Sequence, residues 1–447
     1  MSGPRTGLRA AVSAALFVCA AAGGALAQTP AAPAAVPSDA SGVLPSGVAY
    51  TLRPDPAQPV AAVALWYRAP AGGFGTTAVP GLSRLAAATV TASTPITGTP
   101  LAQLVERWGG RISVAAYPDS VAITVLVPAD HTVQTVRAMT GSFFAPVVAA
   151  DGLLVAQRYA TEDAIYRSLA PDAIEDALGT ALFADGPLHD GTIGSARTVA
   201  DIKLDRVRSF AERAFRPANA ILVLTGNVDR SVLSSVASRA GATQSTAEAA
   251  APQTPRAAPP PLEREGNLVG TGLGWVGPPI TAEADATALD FLADVLFAPK
   301  TGTVSKALGT RKATVTGKFV TYHDPGVFLV TITGDDAAAA RPIVEKAIAD
   351  AAKPLSAAAF AAARAGFTYR ILGQLATPAD AADTYGWYTV EGDAAYAPAE
   401  GGIQGRYFTL AASLTPATVA QTAAKYLTPA PAVVTMKKAP EPKGART

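Results

Sequence analysis

Short apolar runs alternate along the chain with longer stretches of helical periodicity. In the first half, β-branched and aromatic residues predict strands at 60–69 (VAAVALWYRA), 111–117 (RISVAAY) and 120–128 (SVAITVLVP), the last two joined by a Pro-Asp turn. A further strand is predicted at 218–229, and helical patterns begin at Gly81 and fill residues 130–185. The order of elements in this half is therefore strand, helix, two strands, helices and strand.

The second half repeats this order. Strands are predicted at 267–277 (NLVGTGLGWVG), 327–334 (VFLVTITG) and 432–440, and helices over 286–297 and 336–395. The period is close to half the chain, which indicates a duplication and not a solenoid of short repeats. We predict an α+β protein built from two homologous α/β sandwich domains, each a mixed sheet with helices on one face.

Segments of biased composition mark the domain boundaries. Residues 1–27 place two arginines before an apolar run that ends in Ala-Leu-Ala, which predicts a secretory signal peptide. The Ala/Pro-rich residues 28–44 predict a disordered leader. The Pro-rich segment 241–262 predicts an extended linker between an N-terminal domain over 45–240 and a C-terminal domain over 263–440.

Composition excludes several classes of protein. Hydrophobic residues make up 49% of the 447 residues, which is enough for sizeable cores, and 36 basic residues balance 35 acidic ones. This balance argues against a broad nucleic-acid-binding surface. The single cysteine, Cys19, lies in the predicted signal peptide, so the mature protein is expected to form no disulfide. No apolar run after Gly266 reaches the length of a membrane span, so we expect a soluble, exported, periplasmic protein.

Three segments together resemble a known family. They are residues 65–85 (LWYRAPAGGFGTTAVPGLSRL), 104–128 (LVERWGGRISVAAYPDSVAITVLVP) and 186–229 (GPLHDGTIGSARTVADIKLDRVRSFAERAFRPANAILVLTGNVD). Their pattern resembles the M16 peptidase family, the insulinase-like zinc proteases that include pitrilysin and the mitochondrial processing peptidase (MPP). The resemblance covers nearly all of the chain after Leu44, more loosely in the second half. It implies the LuxS/MPP-like metallohydrolase fold.

The resemblance implies a zinc site whose residues are missing here. Active members carry His-x-x-Glu-His on the first helix, where the two histidines bind zinc and the glutamate activates water. The matching positions are Arg84, Ala87 and Ala88. Arginine stays protonated and alanine offers no ligand atom, so we expect a degenerate motif with no catalytic residue and no metal. The third ligand of the family falls at Glu162 or Asp163, as a vestigial carboxylate.

The three histidines do not restore the ligand set. His131, His189 and His323 are too far apart in sequence for any two to share a helix face at a spacing of three or four residues. We therefore expect surface or structural roles for all three. The family histidine that matches His189 usually orders the following loop, and the role of His189 stays open at this point.

The resemblance also implies a peptide-binding edge strand. Family members add substrate peptides to a sheet edge through backbone hydrogen bonds. The matching strand consists of Arg111, Ile112, Ser113, Val114, Ala115 and Ala116, and Asp119 matches an acidic residue in the turn that follows. An ordinary strand inside a packed sheet is an equal alternative from the residues alone.

Taken together, the resemblance implies a noncatalytic M16-type subunit of the periplasm. It would pair with an M16 chain that has an intact zinc motif, and would contribute chamber walls and the edge strand for peptide substrates. The zinc would belong to the partner, because chains of this length hold two of the four domains that a chamber needs. The alternative is a stand-alone peptide-binding or scaffold protein. An active zinc metallopeptidase with displaced ligands ranks third.

Overall fold

The computed structural model describes residues 39–74, 77–95, 98–236, 253–392 and 406–438. The predicted signal peptide lies outside these residues. Within them, no helix combines the length and the apolar character that a bilayer span requires.

The strands and helices of the first half follow the predicted order. Its strands are β1 (Ala40–Val43), β2 (Ala49–Pro54), β3 (Val60–Arg68), β4 (Arg111–Ala116), β5 (Ser120–Pro128), β6 (Phe183–Asp185) and β7 (Ala220–Gly226). Its helices are α1 (Leu82–Ala92), α2 (Leu101–Arg107), α3 (Thr132–Phe144), α4 (Ala150–Ser168), α5 (Asp172–Leu182), α6 (Pro187–Asp190), α7 (Ala196–Asp201) and α8 (Leu204–Ala214).

The second half repeats these elements. Its strands are β8 (Thr254–Pro255), β9 (Leu262–Gly266), β10 (Gly270–Val276), β11 (Thr314–Val320), β12 (Val327–Thr333) and β13 (Ala432–Lys438). Its helices are α9 (Glu283–Phe297), α10 (Thr303–Leu308), α11 (Ala337–Asp350), α12 (Ala357–Gly373), α13 (Pro378–Gly392), α14 (Phe408–Ser413) and α15 (Pro416–Leu427).

Each half forms one mixed sheet, and the two sheets share a strand order. The first sheet has the order β1-β2-β7-β3-β5-β4, and the second has the order β11-β12-β10-β13-β9. Counted from β9, the second sheet corresponds strand by strand to β2-β7-β3-β5-β4. The β2–β7 and β9–β13 pairs are parallel, and the other neighbours are antiparallel. The predicted α+β fold of two related sandwiches is thereby confirmed.

The first sheet is covered on one face by helices of its own half. There α1, α3 and α8 enclose a core that includes Leu65, Tyr67, Leu85 and Phe143. The apolar side chains of this core leave water together, which is the main favourable contribution to folding. This arrangement agrees with the predicted sandwich of one sheet and one helical layer.

The opposite face of each sheet is covered by a helix from the other half. Helix α13 of the second half packs on β3, β5 and β7, where Trp66 and Val223 are fully buried. In return, α5 of the first half packs on β10, β12 and β13. Because both faces are buried, the central strands are continuous apolar runs without polar alternation. We refer to this arrangement as the helix exchange.

Glycines in β10 make room for the exchanged helix α5. A Cβ added at Gly272 would lie 2.4 Å from Cγ2 of Ile174 and 3.0 Å from Cδ1 of Leu178. A Cβ at Gly274 would lie 3.2 Å from Cδ2 of Leu178. Side chains of α5 therefore fill the space that strand side chains would otherwise occupy, which explains the alternating glycines of this strand.

Two boundaries differ from the sequence-based prediction. Residues 40–43 of the predicted disordered leader form β1, which pairs with β2 from Ala40 opposite Leu52 to Val43 opposite Ala49. In the predicted linker 241–262, residues 241–252 lie outside the described part, but the remainder is structured. There β8 pairs with β6, and the backbone N–H of Arg256 donates to the carbonyl of Leu182 at 2.8 Å. Neither segment has the apolar periodicity by which sequence identifies strands.

Candidate functional site

Helix α1 carries the motif positions, and its start is fixed by a glycine. Gly81 precedes the helix with a φ of 89°, and a Cβ there would lie 2.3 Å from the carbonyl oxygen of Ile193. Glycine is therefore required both for its backbone conformation and for space. Its N–H donates to the carbonyl of Thr192 at 3.1 Å. The loop that follows α6 thus positions the first turn of α1.

His189 lies in α6, directly before this loop. Its Nδ1 is 3.0 Å from Oδ1 of the neighbouring Asp190. The hydroxyl of Thr180 in α5 donates to the backbone carbonyl of His189 at 3.0 Å. This backbone contact anchors α6 to α5, and a structural role for the His189 side chain stays a prediction.

None of the three motif positions on α1 carries a catalytic group. In α1, Ala87 is fully buried and the neighbouring Ala88 is half-buried. Arg84 has a side chain that is 23% exposed, and it supplies the single polar group among the three positions. A guanidinium cannot lose its proton at ordinary pH, so it can act neither as a metal ligand nor as a general base.

Asp163 is the carboxylate that faces these positions. One guanidinium nitrogen of Arg84 (Nη1) lies 2.6 Å from Oδ2 of Asp163, which joins α1 to α4. Glu162 points elsewhere and pairs with Arg158 at 3.4 Å on the exposed side of α4. Of the two residues that the sequence left as alternatives, the structure therefore places Asp163 against the motif. Arg84 is the first of the three positions at which the family resemblance implies zinc-site residues.

The histidines occupy three separate environments. His131 stacks on Trp108 with ring centroids 5.9 Å apart, and His323 contacts the backbone carbonyl of Glu391 through Nδ1 at 3.1 Å. No three His, Cys, Asp or Glu side chains gather as metal ligands within the described ranges.

Strand β4 lies at the edge of the first sheet. It pairs with β5 from Arg111 opposite Leu126 to Ala116 opposite Val121, and no described strand lies on its other side. The side chains of Arg111 and Ser113 are exposed. Among the described strands β4 is therefore an edge strand, and its use for peptide binding stays a prediction. An edge strand offers backbone groups to an added strand.

The turn after β4 contains a buried carboxyl group. Asp119 is enclosed, and its backbone carbonyl accepts from the N–H of Ala69 at 2.8 Å. Its carboxyl group is in hydrogen-bonding contact with that of Glu391 at the end of α13. Burial raises the pKa of Asp119 above its usual range. The sequence indicated Asp119 but not Glu391, because only the helix exchange brings the two residues together.

Comparison with known proteins supports the family resemblance. Residues 201–367 match the family model of the peptidase M16 inactive domain. Over 204 residues the chain is 26% identical to an uncharacterized zinc protease of Mycobacterium tuberculosis and equally to one of Mycobacterium bovis. These matches support membership of the M16 peptidase family over part of the chain. The alignments to the two zinc proteases cover 45% of this chain and 46% of each relative, so the chain spans slightly less than half the length of the curated relatives it matches.

Solved structures share the fold over about nine-tenths of the chain. A protease from Helicobacter pylori superimposes with a TM-score of 0.75 at 16% identity, covering 90% of this chain and all of the other. A peptidase M16 inactive domain from Pseudomonas fluorescens gives 0.72 at 17% identity, with 91% and 99% covered. At such identities the likeness establishes the fold alone. The inactive-domain match falls largely in the second half, where the motif resemblance was looser.

Proposed function

We propose that this M16 homologue is a noncatalytic subunit that pairs with a separate M16 chain carrying an intact zinc motif. The observation that carries the proposal is the Arg84–Asp163 ion pair at the motif positions. In this proposal the two protein chains act together in the periplasm, after removal of the predicted signal peptide 1–27. The zinc belongs to the partner, and this chain supplies chamber walls and strand β4.

The chemistry of the motif positions supports a noncatalytic role. A catalytic zinc needs three protein ligands and a bound water, and a nearby base must accept the proton of that water. Asp163, the carboxylate that contacts the motif at Arg84, is already engaged in that ion pair. Ala87, at the position of the general base, presents a buried methyl group. Peptide hydrolysis would therefore have to occur on the partner.

An exposed face of α4 that is rich in apolar side chains, and that also carries the Arg158–Glu162 pair, supports a partner chain. Half of the large apolar side chains that are exposed in the described part of the chain lie on or directly after this helix, namely Leu154, Val155, Tyr159, Ile165, Tyr166 and Leu169. Tyr166 is 72% exposed. Clusters of exposed apolar residues on one face mark protein–protein contacts. The face adjoins Asp163 on the same helix, so a chain docked there would also border the motif positions.

Strand β4 supports a role in holding peptides. Backbone hydrogen bonds to an edge strand bind extended peptides with little dependence on their sequence. A subunit that presents such an edge contributes to substrate binding without contributing chemistry. The alternative function, a stand-alone peptide-binding or scaffold protein, would use the same edge without a partner.

Mixing experiments test the proposal. The M16 chain with an intact motif from the same organism is purified and assayed for peptide turnover with and without a molar excess of this chain. We expect a complex in gel filtration and an increase in turnover, because a closed chamber orients the peptide and excludes water. Unchanged turnover together with the absence of a complex would reject the partner and leave the scaffold function.

Charged substitutions on α4 are expected to weaken that complex. The double variant Tyr159→Asp and Tyr166→Asp should raise the Kd at least about tenfold, because buried tyrosines dominate the binding energy of many interfaces. Isothermal titration against the zinc-bearing chain measures the effect. The control is Tyr369→Asp on α12, an equally exposed tyrosine in the other half. If the control weakens binding as much as the double variant, the contact is not specific to α4.

A further inference from the structure

The two edge hairpins of the chain meet at one buried side chain. Glu391, at the end of α13, is 1% exposed. The backbone N–H of His323, in the β11–β12 turn, donates to its Oε2 at 2.9 Å. The hydroxyl of Ser120, at the end of the β4–β5 turn, lies 3.4 Å from its Oε1. Glu391 therefore bridges turns that belong to different halves of the chain.

A second carboxyl group shares this site. Asp119 contacts Glu391 directly, and its Oδ1 has no hydrogen-bond partner. Beside the pair, Arg68 donates to the backbone carbonyls of Thr389 and Val390. The other titratable groups that face the pair are Tyr117, Tyr322, His323 and Asp324.

Two carboxylates cannot both be charged at close contact in a buried site. Burial, together with the neighbouring Asp119, raises the pKa of Glu391 well above its usual value. The stable arrangement therefore holds one proton, with the neutral Glu391 carboxyl donating to the Asp119 carboxylate. In this state Glu391 supplies the O–H donor and Asp119 supplies the acceptor oxygen, so the two carboxyl groups complement each other.

We propose that this shared proton is a conformational switch, which holds the two hairpin turns together and whose loss at rising pH releases the end of edge strand β4. The switch concerns the conformation of this chain alone and does not depend on a partner. Loss of the proton leaves two buried negative charges, which separate by moving the β4–β5 turn away from α13. The position of β4 relative to the second half then becomes pH-dependent.

The direction of the pH dependence follows from the number of protons that the closed and the opened junction bind. The closed junction binds a proton that the opened junction releases once the pH exceeds the ordinary glutamate pKa of 4.5. The stabilising contribution is therefore complete below that pH and is lost as the pH rises through the raised pKa of Glu391. Between the two pKa values, the opening equilibrium rises up to about tenfold per pH unit, since one proton is released on opening.

Hydrogen exchange on the full chain tests the switch. Amide exchange in the β4–β5 and β11–β12 turns is measured from pH 5 to pH 9 and corrected for the intrinsic pH dependence of exchange. The wild-type turns should lose protection with rising pH, and the N–H of His323 reports directly because it donates to Glu391. Corrected protection that stays constant over this range would overturn the proposal.

Glu391→Gln is the decisive variant. Its amide donates to the Asp119 carboxylate at every pH, so both turns should stay protected up to pH 9. Asp119→Asn removes the second carboxylate and should weaken the pH dependence without abolishing it, because burial still raises the pKa of Glu391; this provides a second variant if the first folds poorly. Glu345→Gln is the matched control, because Glu345 is exposed and pairs with Arg341, and it should retain the wild-type profile. A wild-type profile in Glu391→Gln would also overturn the switch.

Discussion

Replacing Gly386 with alanine is expected to destabilise the protein by about 3 kcal/mol. A Cβ at this position in α13 would lie 1.9 Å from Nε1 and 2.3 Å from Cε2 of Trp66. Trp66 is fully buried in β3, so the ring has no space into which to move. Helix α13 would have to move away from the first sheet, and the face that it covers would lose its packing. Equilibrium unfolding in urea measures the change in the free energy of unfolding.

The matched control for this variant is Gly366→Ala in α12. A Cβ at Gly366 has no neighbour within 4 Å. Alanine should therefore stabilise the protein there by up to about 1 kcal/mol, because it favours the helix more than glycine does. Opposite signs for the same substitution in two helices would demonstrate the close contact of α13 with the sheet. Equal effects would contradict it.

The triple variant Arg84→His, Ala87→Glu and Ala88→His is expected to convert the chain into a zinc-binding protein. Removing Arg84 releases Asp163 from its ion pair and leaves that carboxylate facing two new histidines on α1. Two histidines, one carboxylate and a water complete a tetrahedral site. Metal analysis after dialysis should give about one zinc per chain for the variant, and no stoichiometric zinc for the unmodified chain.

Two further substitutions in the triple variant test the ligand assignment. Asp163→Asn should abolish zinc binding, whereas Glu162→Gln should leave it unchanged, because Glu162 points to Arg158 on the exposed side of α4. The reverse result would mean that Glu162, and not Asp163, faces the motif positions of α1. Because Ala87 is fully buried, the double variant without the new glutamate provides a version with less risk of misfolding. It should bind zinc without hydrolytic activity.

Most strands could be predicted because each is a short, uninterrupted apolar run that is rich in β-branched residues. The prediction for 120–128 has the bounds of β5, and that for 60–69 extends β3 by one residue. β1 and β2 were both missed, and β1 has the sequence ASGV, which carries no apolar pattern and is held mainly by its pairing with β2. The helix exchange was also missed, because periodicity shows that a helix has an apolar face but not which sheet covers it.

For the candidate site, the sequence could predict only those residues whose positions follow from the spacing of the family motif. Family spacing located Arg84, Ala87 and Ala88, but it could not choose between Glu162 and Asp163. Consecutive helix residues point about 100° apart, so the choice depends on how α4 is rotated against α1. Glu391 had no signal in the sequence, since 271 residues separate it from Ser120, its contact in the first half.

The helix exchange also makes the two halves depend on each other. A chain with the residues of only one half would fold its sheet with one face covered by its own helices and the other face bare. Two such chains could cover each other by donating the helix that corresponds to α5 or α13, which is domain swapping between identical protomers. We therefore expect neither half to fold as a stable monomer when it is expressed alone.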